Sequence, residues 1–250
     1  MAGVAKVVVD GVGKTYESER QTVRALSDVN FAVEDGEFVC IVGPSGCGKT
    51  TLFRTIAGLE TPTEGEVRLG GSVVEGPGTD RGMVFQEYGL FPWRTVRGNV
   101  AFGLEEQGVP AGERRRRISE MLELVGLEEF ADAYPKELSG GMKQRVGIAR
   151  ALAVDPDILL MDEPFGSVDA QTRDMLHDEL LRIWAETEKT VLFVTHDVEE
   201  SVTLADRVVV MAANPGRVRD IVEVDLDRPR DRANPAFGEY VSVVRGLIGE

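Results

Sequence analysis

Residues 43–50 read Gly43-Pro44-Ser45-Gly46-Cys47-Gly48-Lys49-Thr50, which matches the pattern G-x-x-x-x-G-K-[ST]. An apolar run at 38–42 precedes this stretch, and a helical pattern at 51–57 follows it. A phosphate-binding loop requires this strand–loop–helix context, because glycines let backbone N–H groups turn toward phosphate oxygens and a helix N-terminus adds a positive dipole end. The alternative interpretation is a glycine-rich turn that only caps a helix.

A nucleoside triphosphate with Mg²⁺ is the ligand that this loop predicts. We expect Lys49 to contact the β- and γ-phosphates and Thr50 to bind Mg²⁺. Cys47 is interpreted as a small filler of the loop rather than as a reactive thiol. The residues expected to contact ATP in this part of the chain are Gly43, Pro44, Ser45, Gly46, Cys47, Gly48, Lys49, Thr50 and Thr51.

Short apolar runs alternate with helical patterns along the chain, which predicts an α/β fold with a mostly parallel core sheet. The runs at 158–161, 191–194 and 208–211 are continuously apolar, as expected for parallel strands that are covered on both faces. Further predicted strands lie at 7–9, 29–33, 38–42, 65–69, 83–85 and, as a half-exposed strand, 222–226. Two sets of apolar residues at helical spacing predict helices: Leu176, Leu180, Ile183 and Trp184, and near the end Phe237, Val241, Val244 and Ile248.

The stretch at 88–153 differs from the rest because it contains no convincing strand. Two sets of apolar residues repeat there at helical spacing, the second beginning just after Ser139: Ile118, Met121, Leu122 and Val125, then Met142, Val146, Ala149 and Ala153. We interpret this part as a helical insertion in the α/β core.

The composition restricts the class of protein. The chain has 250 residues, of which 42% are hydrophobic, and this suffices for a sizeable buried core. Its 28 basic and 43 acidic residues give a net charge of −15, which argues against a free-standing nucleic-acid binder. Only six of the basic residues are lysines and 22 are arginines. We therefore offer the hypothesis of a salt-adapted source, in which salt screens the acidic field.

Neither secretion nor membrane insertion is predicted. Two cysteines, Cys40 and Cys47, are too few for a disulfide framework. No apolar run approaches the roughly 20 residues that span a bilayer. The first ten residues lack a basic leader followed by a long apolar stretch. We therefore expect a cytosolic protein.

Two acids and a histidine follow predicted strands at their carboxyl ends, where α/β sheets bind ligands. We predict that Asp162 supports Mg²⁺ and that Glu163 orients or activates the attacking water. His196 is predicted to donate to the γ-phosphate, and its alternative role is helix capping or a place on the surface. The other histidine, His177, is interpreted as structural or exposed.

The stretch Leu138-Ser139-Gly140-Gly141-Met142 is followed by Gln144-Arg145 and Ala149-Arg150-Ala151-Leu152. It closely resembles the signature motif of ABC-type ATPases, with Met142 where that family often has glutamine. The resemblance covers essentially the whole chain. Seven motifs of that family are matched in order along the chain. They are the aromatic loop (Tyr16), the phosphate loop (43–50), the Q-loop (Gln86), the signature (138–142), the acidic strand end (Asp162-Glu163), the D-loop (Ser167-Val168-Asp169) and the switch histidine (His196).

The resemblance implies a role for each matched residue. Tyr16 would stack on adenine, unless it is a core tyrosine at a strand end, and Gln86 would contact Mg²⁺ or the attacking water. Ser139, Gly140 and Gly141 would face the γ-phosphate of the ATP held by a second subunit, and Asp169 would lie at that interface. Because one chain carries one copy of each motif, the family arrangement implies a head-to-tail homodimer with two sandwiched ATP molecules.

The resemblance also implies how the chain is divided. The chain would be a single ABC ATPase domain over 1–250. A RecA-like core with an antiparallel β subdomain would occupy 1–86 and 156–250, and a helical subdomain would occupy 87–155.

Three stretches look like the ATPases of nitrate, sulfonate and taurine importers: 85–96, 162–166 and 214–218. They imply the ATPase subunit of a binding-protein-dependent importer, whose closure on ATP drives integral membrane permease subunits at the cytoplasmic face of the membrane. Tyr88, Phe91 and Trp93 would receive a permease helix, unless Phe91 and Trp93 are core residues. The alternative function is the ATPase subunit of an ABC exporter.

Overall fold

The computed structural model describes residues 5–18, 21–86, 88–166 and 168–249. They form two compact units, Met1–Gly78 with Lys189–Glu250, and Thr79–Glu188. The strands are β1 (Ala5–Glu17), β2 (Thr22–Glu34), β3 (Phe38–Val42), β4 (Glu64–Leu69), β5 (Ser72–Val73), β6 (Arg81–Val84), β7 (Ile158–Asp162), β8 (Thr190–Val194), β9 (Arg207–Ala212) and β10 (Arg217–Glu223). The helices are α1 (Lys49–Ile56), α2 (Val96–Glu106), α3 (Ala111–Leu124), α4 (Gly140–Ala153), α5 (Ala170–Thr187), α6 (Val198–Leu204) and α7 (Pro235–Ile248), with short 3-10 turns at Glu128–Phe130 and Pro135–Glu137.

The first unit contains an antiparallel sheet and a group of largely parallel strands. The antiparallel sheet has the order β2-β1-β4-β5. Strand β3 lies between β8 and β9 and is parallel to both, while β10 pairs with β9 in the antiparallel sense. All five residues of β3 and of β8 are buried, which explains their continuous apolar sequences.

The second unit combines two parallel strands with four helices. Strands β6 and β7 pair in register, with Val84 opposite Met161, and helices α2 to α5 belong to the same unit. Asn99 on α2 is fully buried and orders the turn before this helix. Its side-chain oxygen accepts from Phe91 N (2.7 Å), and its amide nitrogen donates to the carbonyls of Phe91, Arg94 and Thr95 (3.0–3.2 Å).

The structure confirms the predicted α/β class with parallel strands, an antiparallel sheet and helices in the middle of the chain, and it corrects the limits of several elements. Strands β1 and β2 extend over 5–17 and 22–34, beyond the predicted 7–9 and 29–33. Helix α1 begins at Lys49 rather than at residue 51, and β6 ends before Phe85. The strand predicted at 222–226 ends at Glu223 instead. The reason is that Asp206, the residue opposite Val224, donates its N–H to Phe38 O (2.7 Å) while Val224 O accepts from Arg230 (3.0 Å), so the second hydrogen bond of this pair is not formed and the ladder ends. The predicted subdomain limits of 87–155 stay a prediction.

Within the described ranges, every helix is too short or too polar to cross a lipid bilayer.

Candidate functional site

The loop 43–48 joins the buried strand β3 to helix α1 in the first unit. Gly48 caps the helix with φ 93°, a left-handed conformation that glycine adopts without a Cβ penalty. Ser45 and Gly46 are exposed at the tip of the loop, while Gly43 and Cys47 are buried. Gly43 leaves no room for a side chain, because a Cβ there would lie 2.7 Å from Met211 O and 2.8 Å from Cys47 Sγ. Cys47 therefore fills the loop, as predicted.

Lys49 is the first residue of α1 and only 7% exposed. Its ammonium donates to Gly43 O (2.7 Å) and Pro44 O (3.2 Å), so the side chain lies folded back along the loop that precedes it. A buried ammonium is stable only with such partners. Thr50 and Thr51 follow in the first turn of α1, and Thr50 is exposed. The loop thus combines a buried cation with a helix N-terminus, the arrangement that binds phosphate groups.

Gly216 packs closely against the main chain of the phosphate loop. This residue is buried, its N–H donates to Ala25 O (3.0 Å), and its carbonyl accepts from Ser27 N (2.8 Å). A Cβ at Gly216 would lie 2.2 Å from Cys47 O. In the sequence, Gly216 stands out only as part of a family pattern, and its contact with the loop gives a physical reason for a glycine at this position.

His196 lies at the same edge of the sheet as the phosphate loop. Ile41 on β3 is opposite Val194 on β8, and the two strands are parallel, so the loop and His196 both follow carboxyl ends of neighbouring strands. The His196 side chain is exposed. Asp197, rather than His196, caps helix α6, which removes the alternative in which the histidine is the cap.

Tyr16 lies near the end of β1, and the residue is 40% exposed. This exposure contradicts the alternative of a core tyrosine. The hydroxyl group donates to a carboxylate oxygen of Glu60, and Lys14 Nζ lies 5.2 Å from the centre of the ring. Partial burial, with the Glu60 hydrogen bond, raises the pKa of Tyr16 above its usual value. The phenol is therefore neutral at physiological pH and presents an exposed aromatic surface.

In the second unit, Gln86 follows β6 and Asp162 ends β7, at the same edge of the strand pair. Glu163 has φ 44°, an unusual backbone conformation for a residue with a side chain, which costs about 1–2 kcal/mol and is typical of functional sites. A Cβ added to Gly166 would lie 3.4 Å from Gln86 Nε2 and 3.9 Å from Glu163 Oε2. The Gln86 amide and the Glu163 carboxylate therefore both lie close to Gly166.

The signature residues begin helix α4, as predicted. Ser139 is the N-cap, and its Oγ accepts from Met142 N (3.2 Å). Gly140 and Gly141 are the first two residues of the helix. A cavity of about 380 Å³ adjoins this end of α4 and is lined by Ser139, Gly141, Met142, Arg145, Thr172, Met175, Leu176 and Glu179. Met142 thus contributes an apolar wall beside the signature serine.

Asp169 is the N-cap of helix α5, a role that the sequence analysis missed. Its carboxylate accepts from Thr172 N (3.0 Å), and this hydrogen bond holds the pKa of Asp169 below its usual value. The residue is exposed, so capping leaves the remaining oxygen lone pairs accessible. Ser167, also part of the D-loop pattern, lies outside the described residues.

The chain is similar to known proteins along nearly all of its length. The family model described as ABC transporter matches residues 26–166. The chain belongs to the ABC transporter family. An ABC transporter ATP-binding protein of Methanocaldococcus jannaschii is 57% identical over 97% of this chain and 91% of its own. The nitrate import ATP-binding protein NrtD of Synechocystis sp. is 48% identical over 96% of this chain and 94% of its own.

Two further similarities concern the type of importer and the fold of the ABC ATPase. The taurine import ATP-binding protein TauB of Rhizobium johnstonii is 48% identical over 91% of this chain and 90% of its own. A dimeric ATP-binding cassette, solved with ADP and phosphate bound, is 35% identical with a TM-score of 0.76, over 88% of this chain and all of its own. The chain is thus an ATPase with ATP as its substrate, as predicted.

Proposed function

We propose that this ABC ATPase is the ATP-hydrolysing subunit of a binding-protein-dependent importer for nitrate, a sulfonate, taurine or a similar small solute. The observation that carries the proposal is the loop between β3 and α1, with its buried Lys49, in a chain that is 48% identical to nitrate and taurine import ATP-binding proteins. No residue of this chain needs to contact the solute, because binding protein and permease would select it.

Each site residue has a proposed part in hydrolysis. Lys49 and the N–H groups of the loop hold the β- and γ-phosphates. Glu163 accepts a proton from the attacking water or orients it, and Gln86, which also lies close to Gly166, positions the same water. His196 donates to the γ-phosphate. Tyr16 stacks on the adenine base through its exposed ring face.

Mg²⁺ is the proposed cofactor and, when bound, neutralises charge on the phosphate oxygens. The side chains proposed to hold it are those of Thr50, Gln86 and Asp162. They supply hydroxyl, amide and carboxylate oxygens, which are the hard ligands that Mg²⁺ prefers.

The proposed assembly is a head-to-tail homodimer that acts on two permease subunits at the cytoplasmic face of the membrane. Ser139, Gly140, Gly141 and Asp169 of one chain would face the ATP held by the other. The exposed N-terminal end of α4 supports this role, since its dipole favours an anion. ATP binding closes the dimer and hydrolysis reopens it.

An aromatic surface of the second unit is the proposed contact with the permease. Trp93 is 72% exposed, so it is not a core residue. Its ring lies 5.6 Å from that of Phe91, which in turn lies 4.6 Å from Phe102. Such an ordered, exposed aromatic side chain is typical of the anchor residues of protein interfaces.

Glu163→Gln tests the catalytic proposal, with the exposed Glu129→Gln as the matched control. We expect Glu163→Gln to bind ATP and to dimerise but to lose turnover, measured by phosphate release and size-exclusion chromatography with ATP. Glu129→Gln should hydrolyse ATP at the wild-type rate. Unchanged hydrolysis by Glu163→Gln would refute Glu163 as the base.

An exporter ATPase is the alternative function, because it uses the same hydrolytic residues. Purification of the native complex separates the two. Recovery of a permease together with a solute-binding protein supports import, whereas a permease without one contradicts it.

A further inference from the structure

Helix α6 is a seven-residue helix whose last turn is held by an arginine from the segment that follows β10. The last carbonyl groups of any helix lack partners within the helix and must be satisfied elsewhere. Here Arg230 Nη1 donates to both Val202 O and Ala205 O, each at 2.6 Å. The same guanidinium binds its own segment, through Leu226 O and Val224 O, both at 3.0 Å.

A second arginine completes this contact. Arg228 Nη2 donates to Leu204 O (2.7 Å), and its Nη1 contacts Asp206 Oδ1 (2.6 Å). Burial and the nearby Arg228 lower the pKa of Arg230 to about 10, which leaves it cationic at neutral pH. Two cations at the C-terminal end of a helix also interact favourably with its dipole.

The opposite end of α6 is joined to His196. Asp197 caps the helix by accepting from Glu199 N (2.9 Å) and Glu200 N (3.2 Å). On the other side, Thr195 is buried, and its N–H donates to Ile41 O (3.2 Å). His196 therefore lies between one residue fixed to β3 and one residue fixed to α6, so its backbone position depends on both elements.

We propose that Arg230 is a positioning residue for ATP hydrolysis, because it fixes the last turn of α6 and thereby the place of His196 at the other end. This inference rests on the proposed role of His196. It assigns a function to the segment 224–230, which lies outside all the sequence motifs. Arg230 is not a catalytic residue, since it acts through main-chain carbonyl groups.

The test is a double-mutant cycle of Arg230→Met and His196→Ala, with Arg219→Met, an exposed arginine on β10, as the matched control. We expect Arg230→Met to lower kcat by about tenfold to a hundredfold, as a 1 Å misplacement does, and to leave KM for ATP nearly unchanged. In the His196→Ala background, Arg230→Met should lower kcat no further. Arg230→Lys, which keeps the charge with fewer donors, secures a folded protein if Arg230→Met unfolds.

Nuclear magnetic resonance provides a readout that does not depend on activity. The chain has two histidines, so histidine-labelled protein without an affinity tag gives two ring signals, assigned with His196→Ala. We expect Arg230→Met or Arg230→Lys to shift the His196 signal and to leave the His177 signal in place.

Three outcomes would contradict the proposals, and they are distinguishable. If the His196 signal and kcat stay at wild-type values in the Arg230 variants, Arg230 positions nothing, while the role of His196 stands. If kcat falls equally with and without His196, Arg230 acts elsewhere. If His196→Ala alone hydrolyses ATP at the wild-type rate, the proposed role of His196 is wrong.

Discussion

Gly216→Ala is a single added methyl group that we expect to disable the phosphate loop. Gly216 is held on both sides by hydrogen bonds to β2, at Ala25 O and Ser27 N. A Cβ would lie 2.2 Å from Cys47 O and 2.7 Å from Ala25 O, and both obstacles are backbone atoms that cannot rotate away. The cost is therefore steric rather than conformational.

The size of the effect follows from these distances. Ordinary contacts of a Cβ begin at 3.4 Å, so the Cys47 carbonyl must retreat by roughly 1 Å. Overpacking of this kind lowers the free energy of unfolding by about 1–3 kcal/mol. Because Cys47 lies within the loop, the N–H groups that hold phosphate move with it. In a site that depends on exact positioning, a shift of this size lowers the reaction rate by about a hundredfold.

A fluorescent ATP analogue measures the affinity, and urea denaturation measures the stability. We expect a loss of tenfold or more in affinity, from at least 1.4 kcal/mol of lost binding free energy. The control is Gly246→Ala on α7, where a Cβ meets nothing within 4 Å and the helix gains about 0.5–1 kcal/mol. If Gly216→Ala keeps the wild-type affinity and stability, the close contact with Cys47 O is not the reason for a glycine at position 216.

Asn99→Ala should lower the free energy of unfolding by about 2–3 kcal/mol in urea denaturation, since it removes a fully buried side chain and leaves the half-buried Phe91 N–H without its acceptor; a loss below about 1 kcal/mol would contradict this. Trp93→Ala should leave the ATPase rate of the isolated subunit unchanged but reduce co-purification with the permease, because the side chain is exposed. If the source is salt-adapted, ATPase activity should rise with KCl toward about 1 M, where the Debye length is about 3 Å; activity that is highest in dilute buffer and falls steadily with KCl refutes the hypothesis.

The parts of the site that follow from local sequence were predictable, and the parts that follow from long-range contact were not. The loop 43–50, the cap Ser139 and the two acids at the end of β7 follow from residue types at fixed spacing next to apolar runs. In contrast, the contact of Gly216 with Cys47 and that of Arg230 with α6 join residues that are distant in sequence. The left-handed backbone of Glu163 was also unpredictable, because glutamate does not favour that conformation and surrounding structure must impose it.

The excess of arginine over lysine has a structural cause that the sequence alone did not reveal. Several guanidinium groups bind main-chain carbonyls: Arg145 at Val125 O, Arg150 at Gly89 O and Tyr88 O, Arg173 at Val168 O, Arg207 at Ala32 O, and the pair on α6. A planar guanidinium with five donors can bind two or more carbonyls at once, whereas an ammonium acts as a compact point charge. The binding of main-chain carbonyls thus accounts for part of the arginine content, whatever the salt concentration of the source. The hypothesis of salt adaptation therefore depends on the net charge of −15, not on the scarcity of lysine.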